Sequence, residues 1–186
     1  LRHICVFSIK NIMESGKNIV FLGMMGSGKS TLGLLLSKKL KKNFIDVDTY
    51  IENELGKKIS TLFKEKGERF FREYEEKTTL KILQKKNIII SVGGGAFLNK
   101  KIRSEVLKNH LSFWLKWNSE ILVNRIKSNP KRPIAFNATK SELFDMIKKR
   151  SNFYSKAMYK INCNYHTKTE IIRKILKIYE DNKIKN

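Results

Sequence analysis

Residues 18–31 read Asn-Ile-Val-Phe-Leu-Gly-Met-Met-Gly-Ser-Gly-Lys-Ser-Thr, and this stretch decides the fold. The apolar run Ile19-Val20-Phe21-Leu22 reads as a buried strand. Gly23 to Ser30 then complete the spacing G-x-x-x-x-G-K-[S/T] of a phosphate-binding loop. Leu32, Leu35, Leu36 and Leu40 follow at helical spacing and are expected on one buried face. Strand, glycine loop and helix in that order give the context the motif needs. Glycine at 23, 26 and 28 lets the backbone curl so that its N–H groups face phosphate oxygens. The helix that begins near Lys29 adds its positive end. Lys29 is expected to reach the β- and γ-phosphates, and the Ser30 hydroxyl to bind Mg²⁺. The alternative is a glycine-rich turn with a stray lysine.

Outward from this loop, strands and helices alternate. Asn43-Phe44-Ile45-Asp46-Val47-Asp48 reads as a short strand ending in two acids. Ile51 to Leu55 and Thr61 to Lys66 read as short helical pieces separated by Gly56. Gly67 opens a longer helix with Phe71, Glu75, Thr78 and Ile82 on one side. Ile88 to Val92 is an apolar strand that runs into Gly93-Gly94-Gly95. Leu111 to Leu115 is a further strand, and Ser119 to Lys127 a helix. Thr139-Lys140-Ser141-Glu142 is a capping box that starts a helix through Leu143, Ile147, Arg150 and Tyr154. Ile161 to Cys163 is the expected last strand, and Ile171, Ile172, Ile175 and Tyr179 mark the final helix. Such alternation implies an α/β fold, a parallel sheet with helices on both faces. Ligands then gather at the carboxyl ends of the strands.

The chain has 186 residues, which suits one domain. No apolar run approaches the roughly 20 residues of a membrane span, so no membrane partner is expected. Cys5 and Cys163 lie far apart without metal-ligand spacing, and two thiols in a reducing compartment is the preferred reading. The formal charge of +22 invites a nucleic-acid partner. Only 8 of the 39 basic residues are Arg, however, and the 31 Lys are scattered. Abundant Lys, Asn and Ile fit A/T-rich codons, and base readout tends to use Arg. No nucleic-acid partner is expected. Residues 1–16 are basic, mildly apolar and acid-free before Glu14. They are expected to form a poorly ordered N-terminal extension, with Met13 as a candidate initiator.

Several residues suggest chemistry. Six of the ten glycines fall in two clusters, each after an apolar strand, so both are expected at one site. The triple glycine would admit a ligand close to the backbone, or else form a flexible turn. Asp46 and Asp48 stand two apart, so strand alternation would send them to opposite sides and to different tasks. One could serve the Mg²⁺ water shell and the other an acceptor hydroxyl. No Asp ends the strand at 88–92, so Asp46, with Ser91 nearby, is the substitute metal acid. Arg72 could be a ligand cation or one half of a surface ion pair with Glu75 or Glu76. Arg150 shares a stripe with core residues, and arginine is seldom buried without an anion. Lys131-Arg132 lies between Pro130 and Pro133, as a lid closing on phosphate would.

Taken in order, these features resemble the shikimate kinase family. The similar segments are Gly23 to Thr31, Phe44 to Asp48 with Ile51-Glu52, Gly67-Glu68 with Phe71-Arg72 and Glu75, Gly93 to Ala96, Arg132-Pro133, and Arg150 with Tyr154 and Ala157. The resemblance implies a three-layer αβα P-loop NTPase fold of the nucleoside monophosphate kinase-like type, spanning 17–186, with a mobile lid at about 128–140. It implies ATP-dependent phosphorylation of the shikimate 3-hydroxyl in aromatic amino-acid biosynthesis, by a cytoplasmic monomer. ATP would be bound by Gly26, Ser27, Gly28, Lys29, Ser30, Thr31, Arg125 and Arg132. Shikimate would be bound by Asp48, Arg72, Gly93, Gly94, Gly95 and Arg150, with Glu75 orienting an arginine. Mg²⁺ would be held by Ser30 and, through water, by Asp46. Lys29, Asp48 and Arg132 would be catalytic, Asp48 accepting the attacking proton. At Asn164-Tyr165-His166-Thr167 the chain departs from the family, which often carries an arginine there. Other small-metabolite kinases of gluconate-kinase-like or adenylate-kinase-like type, a catalytically dead homologue and a basic nucleic-acid module are the alternatives.

Overall fold

The structure is a computed structural model and describes residues 16–128 and 138–184. The expected extension at 1–16, with Cys5 and Met13, falls outside the described residues except for Gly16. So do Arg132, its flanking prolines and most of the expected lid.

Five strands form one parallel sheet: β1 (Ile19–Leu22), β2 (Phe44–Asp46), β3 (Ile89–Ser91), β4 (Leu111–Lys116) and β5 (Tyr159–Asn162), in the order β2-β3-β1-β4-β5. Alternation in β1 divides the core. Ile19 and Phe21 face one apolar layer, and Val20 and Leu22 the other. The first layer is closed by helices α1 (Lys29–Leu40) and, at the chain's end, α7 (Lys168–Ile184). The second is closed by α2 (Val47–Leu55), α3 (Ile59–Leu83), α4 (Lys100–Asn109), α5 (Ser119–Lys127) and α6 (Lys140–Tyr154). Buried on both faces, the central strands are near-continuous apolar runs, broken only by the buried Ser91 and Ser112. β1 lies between β3 and β4, so its loop occupies the point where the strand order reverses, the usual ligand crevice of such sheets.

Several local details differ from the sequence reading. β2 ends at Asp46, whose carboxylate accepts the Thr49 N–H at 3.2 Å and caps α2. Asp48 therefore stands in the first turn of a helix, not on a strand, and a cap rather than strand alternation separates the two acids. On α1, Leu32 and Leu36 are buried but Leu35 is 37% exposed. The seam is narrow there because Gly33 receives the Phe44 ring, and a Cβ at 33 would come within 2.3 Å of it. Helix α4 has no counterpart in the sequence analysis. Only Ile102 and Val106 of its ten residues are buried, and its readable signal is Asn99, which caps the Lys101 and Ile102 N–H groups. The last strand runs over Tyr159–Asn162 rather than Ile161 to Cys163, and α2 begins at Val47 rather than Ile51. Gly67 breaks α3 with φ 80°, and Thr139 and Glu142 complete the capping box of α6, both as expected.

The amino ends of the strands are tied by Asn18, which is fully buried. Its Nδ2 donates to Leu83 O at 3.1 Å and Lys85 O at 2.6 Å, and its Oδ1 accepts the Ile88 N–H at 3.1 Å. One amide thereby joins β1 to the end of α3 and the entry to β3. Asn18→Ala would strand two carbonyls and one N–H in the interior, a loss of roughly 2–4 kcal/mol. The expected fall in thermal midpoint is about 5–15 °C, measurable by calorimetry, and a change under 2 °C would show that water replaces the amide.

Candidate functional site

The loop after β1 is built as the spacing demands. Gly28 takes the left-handed conformation (φ 88°) that passes the chain into α1 without a side-chain cap, and the first turn of α1 has no acid. The leading N–H groups of α1 are therefore not taken by a cap, a setting that favours an anion. Lys29 is buried, with Nζ donating to Gly23 O at 2.8 Å and Met24 O at 3.2 Å. The Ser30 hydroxyl donates to Asp46 Oδ2, and Asp46 pairs in register with Ser91 on β3. The expected grouping of Ser30, Asp46 and Ser91 is thus present. Both oxygens of the Ser30–Asp46 pair are hard donors of the kind Mg²⁺ accepts. Among the described residues no cluster of three or more His, Cys, Asp or Glu could hold a metal by itself. A Mg²⁺ here would take its other ligands from phosphate and water, as it commonly does.

The triple-glycine loop meets this one. A Cβ on Gly94 would lie 3.3 Å from Met25 N and 3.8 Å from Gly23 O, so the two glycine clusters touch. A Cβ on Gly93 would lie 2.4 Å from Glu75 Oε1 and 2.7 Å from Asp48 Oδ1, and one on Gly95 2.6 Å from an Arg72 nitrogen. Arg150 Nη1 stands 3.5 Å from the same point on Gly94. Gly93 and Gly95 cede their side-chain volume to charged groups and Gly94 to the backbone of the phosphate loop, so the run is a packing requirement rather than a flexible turn.

The charges differ in how they are held. Arg72 Nη1 donates to Glu75 Oε2 at 2.7 Å, and Nη2 lies 3.2 Å from Glu68. Glu75 is 3% exposed, so one side of this pairing is no surface ion pair. Glu76, the other expected partner, turns instead to Asn99 and Lys101. Burial pushes the Glu75 carboxyl above its ordinary value, against the pull of Arg72 and Arg150. Arg150 has no carboxylate within 4 Å among the described residues. Its Nη1 rests on Gly94 O at 3.3 Å and Met24 Sδ at 3.8 Å, beside the buried Tyr154, whose hydroxyl also donates to Gly94 O. This positive charge is available to an outside anion. Burial, then the Asp46 and Glu75 charges, push the Asp48 carboxyl from 3.8 up to about 7, against Lys29 and Arg72.

On the other side of the phosphate loop lies a cavity of about 470 Å³. Gly26, Ser27, Gly28, Thr31, Arg125 and the segment His166-Thr167-Lys168 line it, together with Trp117. Trp117 escaped the sequence reading. Its signal was position alone, a large aromatic directly after a strand, at the sheet edge where ligands gather. The structure thus brings Lys29, Ser30, Asp46, Asp48, Arg72, Gly93, Gly94, Gly95 and Arg150 to one edge of the sheet, with Thr31 and Arg125 on the adjoining cavity. Arg132 lies outside the described residues.

Known proteins resemble this chain along most of its length. The family profile "Shikimate kinase" matches residues 25–180. A shikimate kinase of Clostridium botulinum is 41% identical over 168 residues, 89% of this chain and 99% of that protein. One from Persephonella marina is 36% identical over 160 residues, 86% of this chain and 97% of its own length. Among solved structures, the shikimate kinase of Acinetobacter baumannii in complex with shikimate superposes with a TM-score of 0.84 at 28% identity, covering 91% of this chain and 96% of that one. Over nearly the whole length of these relatives, and by the family profile, this chain belongs to the shikimate kinase family.

Proposed function

We propose that the chain transfers the γ-phosphoryl group of ATP to the 3-hydroxyl of shikimate, giving shikimate 3-phosphate and ADP on the route to aromatic amino acids. The observation that carries this reading is the set of charges around the three glycines: carboxylates at Gly93, Arg150 at Gly94 and Arg72 at Gly95, all beside a phosphate loop. A small polyol with one carboxylate fits such a set. Arg150 and Arg72 pair the carboxylate in charge-assisted bonds, while Asp48 and the glycine backbone hold hydroxyls. Both ligands enter from one edge of one chain, which suits a monomer, and ATP as co-substrate suits the cytoplasm.

Phosphoryl transfer needs in-line positioning and charge neutralisation more than covalent chemistry. The loop N–H groups and Lys29 bind and orient the phosphates, and Gly26, Ser27, Thr31 and Arg125 receive the rest of the nucleotide. Ser30 and, through water, Asp46 would hold Mg²⁺, which when bound neutralises charge on the phosphate oxygens. Arg132 would neutralise charge on the transferring group. Asp48 takes the proton of the attacking hydroxyl. Its raised pKa places it where a general base works best near neutral pH.

Below about pH 7 the Asp48 carboxyl is protonated and cannot accept a proton, so kcat/KM should fall as pH falls through that range. Asp48→Asn should lower kcat by roughly 10²-fold or more and abolish that acid limb. Steady-state rates from pH 5.5 to 8.5 decide the point, and a variant with undiminished kcat would leave transfer to positioning alone. Asp46→Asn should instead raise the Mg²⁺ concentration needed for half-maximal rate.

The two arginines separate the substrates. Arg150→Ala or Arg72→Ala should each weaken shikimate binding by about 1.5–3 kcal/mol, the worth of a charged hydrogen bond, and leave ATP affinity within about twofold. Titration calorimetry with each ligand reads this directly. Equal loss of both affinities would remove the carboxylate role.

A further inference from the structure

Trp117 follows directly on β4 and packs against the apolar layers of both sheet faces. Its position is therefore set by the core. Its indole Nε1 donates to Ser27 O, inside the phosphate loop, at 2.9 Å. A trans peptide points its C=O and the next N–H in opposite directions, so this bond commits the Gly28 N–H to face away from the indole. The ring face carries Arg125, whose guanidinium carbon lies 3.8 Å from the ring centre and whose Nη1 is 3.4 Å from Gly26 O. Arg125 is otherwise an exposed side chain, free to sample many rotamers. A flat guanidinium stacked on an indole keeps its second face for another planar group. Arg125 and Trp117 both line the cavity beside the phosphate loop. The next residue ties in another part of the lining: the Asn118 N–H donates to Asn164 Oδ1 at 2.8 Å, two residues before His166, which lines the cavity with Thr167.

We propose that Trp117 is a positioning residue for the nucleotide. It holds Arg125 flat as one wall of the base site and fixes the Ser27 carbonyl of the phosphate loop, so a single ring rooted in the core sets both ends of the nucleotide. Trp117 itself takes no part in phosphoryl transfer. The inference rests on the reading of the loop as the ATP site.

Titration calorimetry with ADP and with inorganic tripolyphosphate, which has no base, tests it. The ratio of the two Kd values reports what the nucleoside adds. Trp117→Phe keeps an aromatic face but loses the N–H. It should bind both ligands about two- to threefold more weakly, with the ratio within about twofold of wild type. Trp117→Ala should lose about tenfold of the nucleoside contribution as well. Arg125→Ala should lose a similar factor, and the double variant little more, because the two residues act as one unit. Shikimate binding should not change in any of them. A wild-type ratio in Trp117→Ala overturns the proposal. So does an equal loss of ratio in Trp117→Phe and Trp117→Ala, or full additivity in the double variant. If Trp117→Ala does not fold, Arg125→Ala and Trp117→Phe still decide it, since a wild-type ratio in Arg125→Ala leaves nothing for Trp117 to position. Failure of wild type to bind ADP at all would remove the ATP reading itself.

Discussion

The pairing of β1 with β3 is the constraint on which the rest depends. Phe21 stands in register with Ser91, and the Val92 N–H reaches back to Phe21 O at 3.4 Å. Two parallel strands that end level deliver their loops to the same place. The loops can then touch only where backbone meets backbone, and that contact is at Gly94 and Met25. Once it is made, the space above Gly93 and Gly95 is occupied by Asp48, Glu75 and Arg72, close enough that a Cβ at either glycine would overlap them. A side chain on Gly93 or Gly95 would displace a charged group rather than an apolar one, and one on Gly94 would press on the phosphate loop itself. Core packing and site chemistry are therefore one geometric problem here.

Electrostatics follow from that crowding. Asp46, Asp48 and Glu75 bring three acids together, with Lys29, Arg72 and Arg150 set against them. Arg72 is engaged by two glutamates, whereas Arg150 leans on a carbonyl and a thioether. The two arginines thus start from different positions: one is already neutralised locally, the other is held in place at little cost to its field. Arg150 is half-buried, and a partly desolvated cation without a carboxylate gains from an anionic ligand.

Much of this was legible in the residues. The phosphate loop, the two glycine clusters and the stripe that carries Arg150 follow from spacing, because period and glycine placement are local properties. Legibility failed where tertiary contacts decided. Asp48 read as strand because Asp46's capping bond lies in the side chain, not in the apolar pattern. Leu35 read as core because the seam of α1 is set by the Phe44 ring against Gly33, a contact with the next strand that the helical pattern does not show. Helix α4 offered two buried residues in ten, too few for a period. Trp117 carried no motif, and only its contacts across the sheet edge give it meaning. The arginines offered a signal of their own. In a chain where lysine dominates, Arg72, Arg103, Arg125 and Arg150 each make several directed contacts that a single ammonium would serve poorly.

The two sheet edges have a consequence for how copies of the chain meet. β2 offers three residues and passes at once into a capped helix, and β5 offers four, with Lys160 and Asn162 exposed. An incoming strand finds little length to pair with at either side and a charge at one of them. Short, charged edges are a recognised defence against strand-on-strand addition. The sheet that delivers five loops to one rim is thus a poor template for its own extension.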